Sequence, residues 1–383
     1  MNLHQKRVQE VYNFLENKDI ILGFRKLQDC ATDTQNMSIY QEVINLTDWK
    51  ENNPNEIDEL ILRSKKVLEK INQIDVIETS REISVLEAQD ICKTYGFSKF
   101  ALGPVSVQIR KGQVYGLVGE NGNGKTTLLR ILAKEISFNQ GNLNFNFSAE
   151  TKSDYDLRTR LIYIPQRTER WYGSLKDNLK FVLANYGEKP SEIETRVLMM
   201  IARMGLWKYK HLQWNELSSG YKMRFELART LLRKPEILLL DEPLANLDVL
   251  AQQVILEDLK AISNSVNNPI ALILSSQQLY EVEKMSDKVI FLKNGRYKDN
   301  LEEEVQIQND LIIEIDSSVS REILQEVFAV VAVQKIVYNG GIYVVYFNND
   351  VQFSDVLFLL GKAKVPLTYI RNISASTRRF FMN

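Results

Sequence analysis

Between an apolar pentapeptide, Val114-Tyr-Gly-Leu-Val118, and a stretch in which Leu128, Leu129, Ile131 and Leu132 recur at helical spacing, the chain reads Gly119-Glu-Asn-Gly-Asn-Gly-Lys-Thr126. A buried strand, a glycine-rich turn and an amphipathic helix in that order point to a strand of an α/β sheet with its helix packed back on it. The turn fits G-x-x-x-x-G-K-[ST], whose backbone N–H groups cradle phosphates at the positive end of the following helix. Gly119, Gly122 and Gly124 allow turns and close approach that a Cβ would hinder. Lys125 is the expected partner of the β- and γ-phosphates and Thr126 the expected Mg²⁺ ligand. The candidate nucleotide-binding set is therefore Gly119, Glu120, Asn121, Gly122, Asn123, Gly124, Lys125, Thr126 and Thr127.

A second apolar run, Ile237-Leu-Leu-Leu240, ends in Asp241-Glu242-Pro243. Two carboxylates at the carboxyl end of a buried parallel strand lie where such sheets bind ligands. They can divide the chemistry, Asp241 holding Mg²⁺ through its water shell and Glu242 polarising the attacking water.

Between these motifs stands Leu217-Ser-Ser-Gly-Tyr-Lys-Met-Arg224. It resembles the LSGGQ signature of the ATP-binding cassette (ABC) family. The order also matches: phosphate loop, Gln166 after Tyr163-Ile-Pro165, signature, Asp241-Glu242, then Leu247-Asp248. The resemblance covers roughly residues 86–300. It implies that ATP is sandwiched between two cassettes, with the phosphate loop of one facing Ser218, Ser219 and Gly220 of the other. It further implies that Gln166 touches Mg²⁺ and the attacking water, and that Trp171 and Tyr172 lie where the family meets its membrane partner. Tyr95 matches the aromatic that stacks on adenine, and Asp248 the acid that links the two sites across the dimer.

Two departures stand out. Gln277, in Leu274-Ser-Ser-Gln-Gln278, replaces the family histidine that contacts the γ-phosphate. Its amide can donate a hydrogen bond but cannot become a cation, so slower turnover is expected. Ser219 and Tyr221 replace Gly and Gln of the signature, and the added side chains are expected to crowd the opposing ATP.

The chain has 383 residues, enough for two or three domains, and a net charge of −1 that offers no case for nucleic-acid binding. Two cysteines, Cys30 and Cys92, and two histidines, His4 and His211, are too few and too scattered for a disulfide framework or a zinc site. No apolar run approaches the roughly 20 residues needed to span a bilayer. The expected location is the cytoplasm, peripheral to the inner face of a membrane through partner subunits.

The expected architecture is α/β, a P-loop NTPase of the ABC ATPase type. Residues 1–84 form an N-terminal all-α extension, 85–304 the cassette and 305–383 a C-terminal α+β ferredoxin-like (βαββαβ) domain. Stripes at Val8, Val11, Tyr12 and Leu15 and at Ile57, Leu60, Ile61, Val67, Leu68 and Ile71 mark the helices. Asn339-Gly-Gly341 marks the C-terminal hairpin, and the polar and aromatic tail runs from Arg371 to Phe381. The last domain resembles one carried by many exporter cassettes, a topology that ligand-sensing domains of importer cassettes share. The resemblance implies an ATPase subunit, more in keeping with export, that works with polytopic membrane subunits. A second cassette completes it, a homodimer being the simpler form and a heterodimer remaining open. A soluble ABC ATPase acting as a mechanochemical switch is the alternative. The cofactors implied are ATP and Mg²⁺.

Overall fold

Helix signals in the first part of the chain place four helices before any strand: α1 (Leu3–Glu16), α2 (Ile20–Thr34), α3 (Met37–Asn52) and α4 (Ile57–Asn72). The computed structural model describes residues 1–81, 83–96, 101–277, 282, 285–298, 311–339, 341–348 and 350–374. Side chains cap these helices where the sequence supplies them. Asn2 and Gln5 form a capping box, Asp19 accepts from the Leu22 N–H, and Asn36 accepts from Ser38 and Ile39. Asn53 and Pro54 separate α3 from α4. Val8, Val11 and Leu15 of α1 share a core with Leu27 of α2 and Leu68 and Ile71 of α4. Ile57, at the first helical position of α4, is 46% exposed, so its buried stripe begins at Leu60.

The next part holds two sheets. Strands β1 (Ser84–Thr94), β2 (Ala101–Arg110) and β4 (Gln140–Phe145) form an antiparallel sheet in the order β2-β1-β4. The larger sheet contains β3 (Val114–Val118), β5 (Leu161–Ile164), β6 (Ile237–Leu240), β7 (Ala271–Ser276), β8 (Lys288–Lys293) and β9 (Arg296–Lys298), in the order β5-β6-β7-β3-β8-β9. Its first five strands pair in parallel. Strands β3, β6 and β7 are buried along their whole length; β3 and β6 accordingly read as unbroken apolar runs rather than alternating ones, while β7 ends in Ser275 and Ser276. Helix α5 (Lys125–Leu132) follows the loop after β3, and α6 (Asp154–Arg160), α7 (Leu175–Asn185), α8 (Pro190–Arg203), α9 (Ser219–Leu231) and α10 (Val249–Ser263) come after it among the described residues.

The four N-terminal helices and both sheets cluster as one unit, Met1–Tyr297. Buried charges join them. Arg203 of α8 donates to Asp29 of α2 at 2.7 Å and to Asp258 of α10 at 2.8 Å, while Arg25 of α2 reaches Asp258 at 2.6 Å. Burial opposes the charge on Arg203, but the two carboxylates outweigh it and raise its pKa. Asp33 of α2 accepts from the Ser265 hydroxyl and the Val266 N–H, closing the turn after α10. A cavity of about 450 Å³ lies at this junction, lined among others by Asp33, Tyr40, Met199, Arg203 and Ile262. The three arginines that line it, Arg7, Arg196 and Arg203, are already paired with carboxylates of the same chain.

Lys298–Asn383 form the second unit. Its described elements are β10 (Leu311–Ser317), α11 (Arg321–Val327), β11 (Val333–Asn339), β12 (Ile342–Phe347), α12 (Phe353–Lys362) and β13 (Leu367–Asn372). The sheet is antiparallel, in the order β11-β12-β10-β13. Ile313, Ile315, Val345 and Phe347 of the sheet pack with Leu324, Val356 and Leu360 of the two helices. Gly340 of the expected hairpin turn and residues 375–383 of the expected tail lie outside the described residues.

Candidate nucleotide-binding and hydrolysis site

The loop from Gly119 to Gly124 leaves β3 at its carboxyl end and enters α5. Gly124 takes the helix N-cap with φ 97° and gives no side-chain cap, so the first N–H groups of α5 are not served by a capping side chain. At Gly119 a Cβ would lie 2.4 Å from the Leu292 carbonyl oxygen of β8, which explains why no larger residue fits there. Asn123 fastens the loop from its other side, donating to the Leu292 carbonyl and accepting from the Asn294 N–H. Lys125 is 5% exposed and folds back on the loop, donating to the Gly119 carbonyl at 2.7 Å and the Glu120 carbonyl at 3.3 Å.

The acid pair sits next to it. Asp241 is 4% exposed and accepts three hydroxyl hydrogen bonds, from Thr126 at 2.8 Å, Ser275 at 2.7 Å and Tyr163 at 3.2 Å. Burial first, and then the Asp241 carboxylate, push the pKa of the Tyr163 hydroxyl up, keeping it a donor. Glu242 has a left-handed backbone, φ 47°, and its carboxylate lies 3.7 Å from the Lys125 ammonium. The Gln277 amide donates to both of its oxygens at 2.9 Å, and Gln166 donates to Oε2 at 3.2 Å. Thus Lys125, Thr126, Gln166, Asp241, Glu242 and Gln277 meet around one point at the carboxyl ends of β3, β6 and β7.

These groups suit the ligands that the motif implies. An uncapped helix start, glycine turns and a buried ammonium suit phosphate. A threonine hydroxyl beside a carboxylate supplies the hard oxygen donors that Mg²⁺ takes together with water and phosphate oxygens. Among the described residues no group of three or more His, Cys, Asp or Glu side chains could hold a metal by itself.

The signature stands at the start of α9. Ser218 caps α9, its hydroxyl accepting from the Tyr221 N–H, and both Ser218 and Ser219 are exposed. The Ser219 hydroxyl donates to the Asn246 carbonyl, and Tyr221 turns back onto Tyr209, hydroxyl to hydroxyl at 2.9 Å. The two side chains expected to crowd an opposing nucleotide are thus engaged within their own chain. Asp248 is exposed and caps α10 through the Ala251 N–H. Tyr95 ends near the last residues of β1 and is 43% exposed, with the Lys93 ammonium 5.3 Å from its ring centre.

Sequence reading missed three residues. Ser275 and Tyr163 serve Asp241, and no local motif marks them because they are strand residues facing a neighbouring strand. Glu226 of α9 accepts from the Trp171 indole at 2.7 Å and pairs with Arg229, whose guanidinium lies 4.3 Å from the Trp171 ring centre. Trp171 is consequently turned inward onto the signature helix, whereas Tyr172 is 77% exposed.

The fold is an α/β P-loop fold similar to that of ATP-binding cassette subunits, and the assembled motifs gather at one end of its parallel sheet. Residues 102–245 match the family model described as ABC transporter. Similar proteins include the spermidine/putrescine import ATP-binding protein PotA of Mycoplasma mycoides subsp. mycoides SC, 31% identical over 225 residues, or 56% of this chain and 60% of that protein. The phosphonates import ATP-binding protein PhnC of Treponema denticola is 28% identical over 229 residues, covering 55% of this chain and 87% of that one. The chain thus spans less than two thirds of the length of PotA. Among solved structures, cbiO1 from Clostridium perfringens, part of the ABC transporter complex cbiONQ, superposes with a TM-score of 0.52 at 24% identity, covering 59% of this chain and 94% of that one.

Proposed function

We propose that this chain is the ATP-hydrolysing subunit of an ABC transporter, closing on a second cassette around ATP and driving separately encoded membrane subunits. The observation that carries the reading is the meeting of Lys125, Thr126, Asp241 and Glu242 at one end of the parallel sheet. In this reading Lys125 leaves its loop carbonyls for the β- and γ-phosphates, while Thr126 and Asp241 would hold Mg²⁺, whose charge would offset that of the phosphates. Glu242 accepts the proton of the attacking water, and Gln166 and Gln277 orient that carboxylate. Ser218 and the N–H groups of Ser219 and Gly220 await the γ-phosphate held by the partner cassette, so one subunit alone leaves the site incomplete. Asp248, exposed at the start of α10, is the link to that partner in this reading, and Tyr95 offers its ring to the adenine.

The transport role draws on the family match, on the import proteins among the relatives and on the exposed Tyr172 beside the signature arm. No described helix is long and apolar enough to cross a membrane, so in this reading the pathway comes from other polypeptides. Direction belongs to that pathway. The C-terminal ferredoxin-like unit favours export, while import is printed in the names of the polyamine and phosphonate relatives.

Glu242→Gln tests the reading. The variant should hydrolyse ATP about 10²–10³-fold more slowly than the parent and accumulate as an ATP-bound dimer by size-exclusion chromatography. Turnover at the parent rate would remove Glu242 as the base. Recovery of the parent only in a detergent-independent complex would favour the soluble switch instead.

A further inference from the structure

We infer that Ser275 is a positioning residue for ATP hydrolysis, one hydroxyl that ties the metal-side carboxylate to the backbone of the catalytic glutamate; the inference rests on the ATPase reading above. Strand β7 lies between β6, which delivers the acids, and β3, which delivers the phosphate loop. On β7, Leu274 pairs with Leu240 of β6, and Ser275 pairs with Leu117 of β3. Ser275 therefore stands level with Asp241, the next residue after Leu240, and its Oγ reaches both acids.

The hydroxyl donates to Asp241 Oδ1 at 2.7 Å and accepts from the Glu242 N–H at 2.8 Å. A serine hydroxyl carries one donor and two acceptor positions, and here it uses its donor on one acid and an acceptor on the other. Ser275 is 0% exposed, so water is poorly placed to replace either bond. Glu242 is held in a left-handed conformation that non-glycine residues seldom adopt, and the bond from its N–H to Ser275 helps fix that conformation and the direction of its side chain.

The two oxygens of Asp241 are divided between different keepers. Thr126 and Tyr163 donate to Oδ2, and Ser275 donates to Oδ1. The Thr126 hydroxyl would offer a lone pair to Mg²⁺ while its proton stays on Oδ2. Ser275 then keeps the carboxylate from turning, and the same atom keeps Glu242 in register with it. Loss of the hydroxyl should consequently disturb metal use and turnover together while leaving the phosphate loop intact.

The test compares Ser275→Ala, Ser275→Cys and Ser275→Thr in the full chain, with folding checked by thermal unfolding. Cysteine has nearly the volume of serine but bonds weakly, whereas threonine keeps the hydroxyl. For Ala and Cys we expect kcat to fall about 10–100-fold and the half-saturating Mg²⁺ concentration to rise several-fold, the KM for ATP staying within about twofold. Metal-free binding of trinitrophenyl-ATP should match the parent, and Ser275→Thr should retain most of the turnover. Parent-like kcat and Mg²⁺ dependence in Ser275→Cys would overturn the inference whether or not the bulkier threonine folds. If the parent itself does not hydrolyse ATP, the ATPase reading fails. The Mg²⁺ dependence of trinitrophenyl-ATP binding still decides Ser275, a curve unchanged in Ala and Cys counting against it.

Discussion

Gln277 donates to both oxygens of Glu242, and that geometry has a cost for the chemistry. An amide holds the carboxylate but cannot gain a proton as negative charge builds on the γ-phosphate. Gln277→His should therefore raise kcat by roughly tenfold at neutral pH, measured at saturating ATP and Mg²⁺. A clear fall would show that the glutamine is the better partner for Glu242 in this chain. At this scale the sequence was legible wherever a residue type and its spacing carry the chemistry. Lys125, Thr126, Asp241, Glu242, Gln166 and Gln277 were all named from motifs, and the structure brings them together. The direction of the Tyr221 ring was not legible for a physical reason: its partner, Tyr209, lies outside the signature, so the motif alone could not show which way the ring turns. Ser275 escaped similarly, because its role depends on which strand lies beside β6.

Strands β5 and β6 enter the sheet beside a buried ionic cluster centred on Glu236. Its carboxylate accepts from the Ser148 N–H and hydroxyl and pairs with Arg160 at 2.6 Å and Lys111 at 2.5 Å. Burial alone would raise the pKa of Glu236. The Lys111 and Ser148 hydrogen bonds outweigh it, so the net shift is downward. A carboxylate whose folded pKa is lowered adds stability above its unfolded pKa and loses it as the pH falls through the folded value. Glu236→Gln should thus lower stability by about 3 kcal/mol at pH 7. The gap between parent and variant should shrink below about pH 4. Thermal unfolding across pH would show it, and a gap independent of pH would mean that packing, not charge, is lost. The sequence revealed β6 as a strand but not what fixes its starting end. Lys111, Ser148, Arg160 and Glu236 stand far apart in the chain, and each alone reads as an ordinary surface residue.

Across the first unit, Asp258 gathers the N-terminal helices and the cassette onto one carboxylate. It is 2% exposed, with Arg25 of α2 at 2.6 Å, Arg203 of α8 at 2.8 Å and Arg224 of α9 at 4.0 Å. Within residues 1–84, α1 and α4 were legible from their apolar stripes, whereas no stripe was read for α2 or α3. The attachment of these helices was not legible, since Asp29 and Arg203 are 174 residues apart and Arg25 and Asp258 are 233 apart. Such contacts make α2 a brace between the signature-bearing arm and the helix that follows Asp248, rather than a separately hung module. Removing Asp258 would leave the buried Arg203 with Asp29 alone as a carboxylate partner among the described residues, and breaking a buried pair in this way costs about 3–5 kcal/mol. Asp258→Ala should accordingly destabilise the whole unit, and amides of α2, α8 and α10 should lose hydrogen-exchange protection together. Loss confined to α2, with α8 and α10 protected as in the parent, would show that the extension opens on its own and braces nothing.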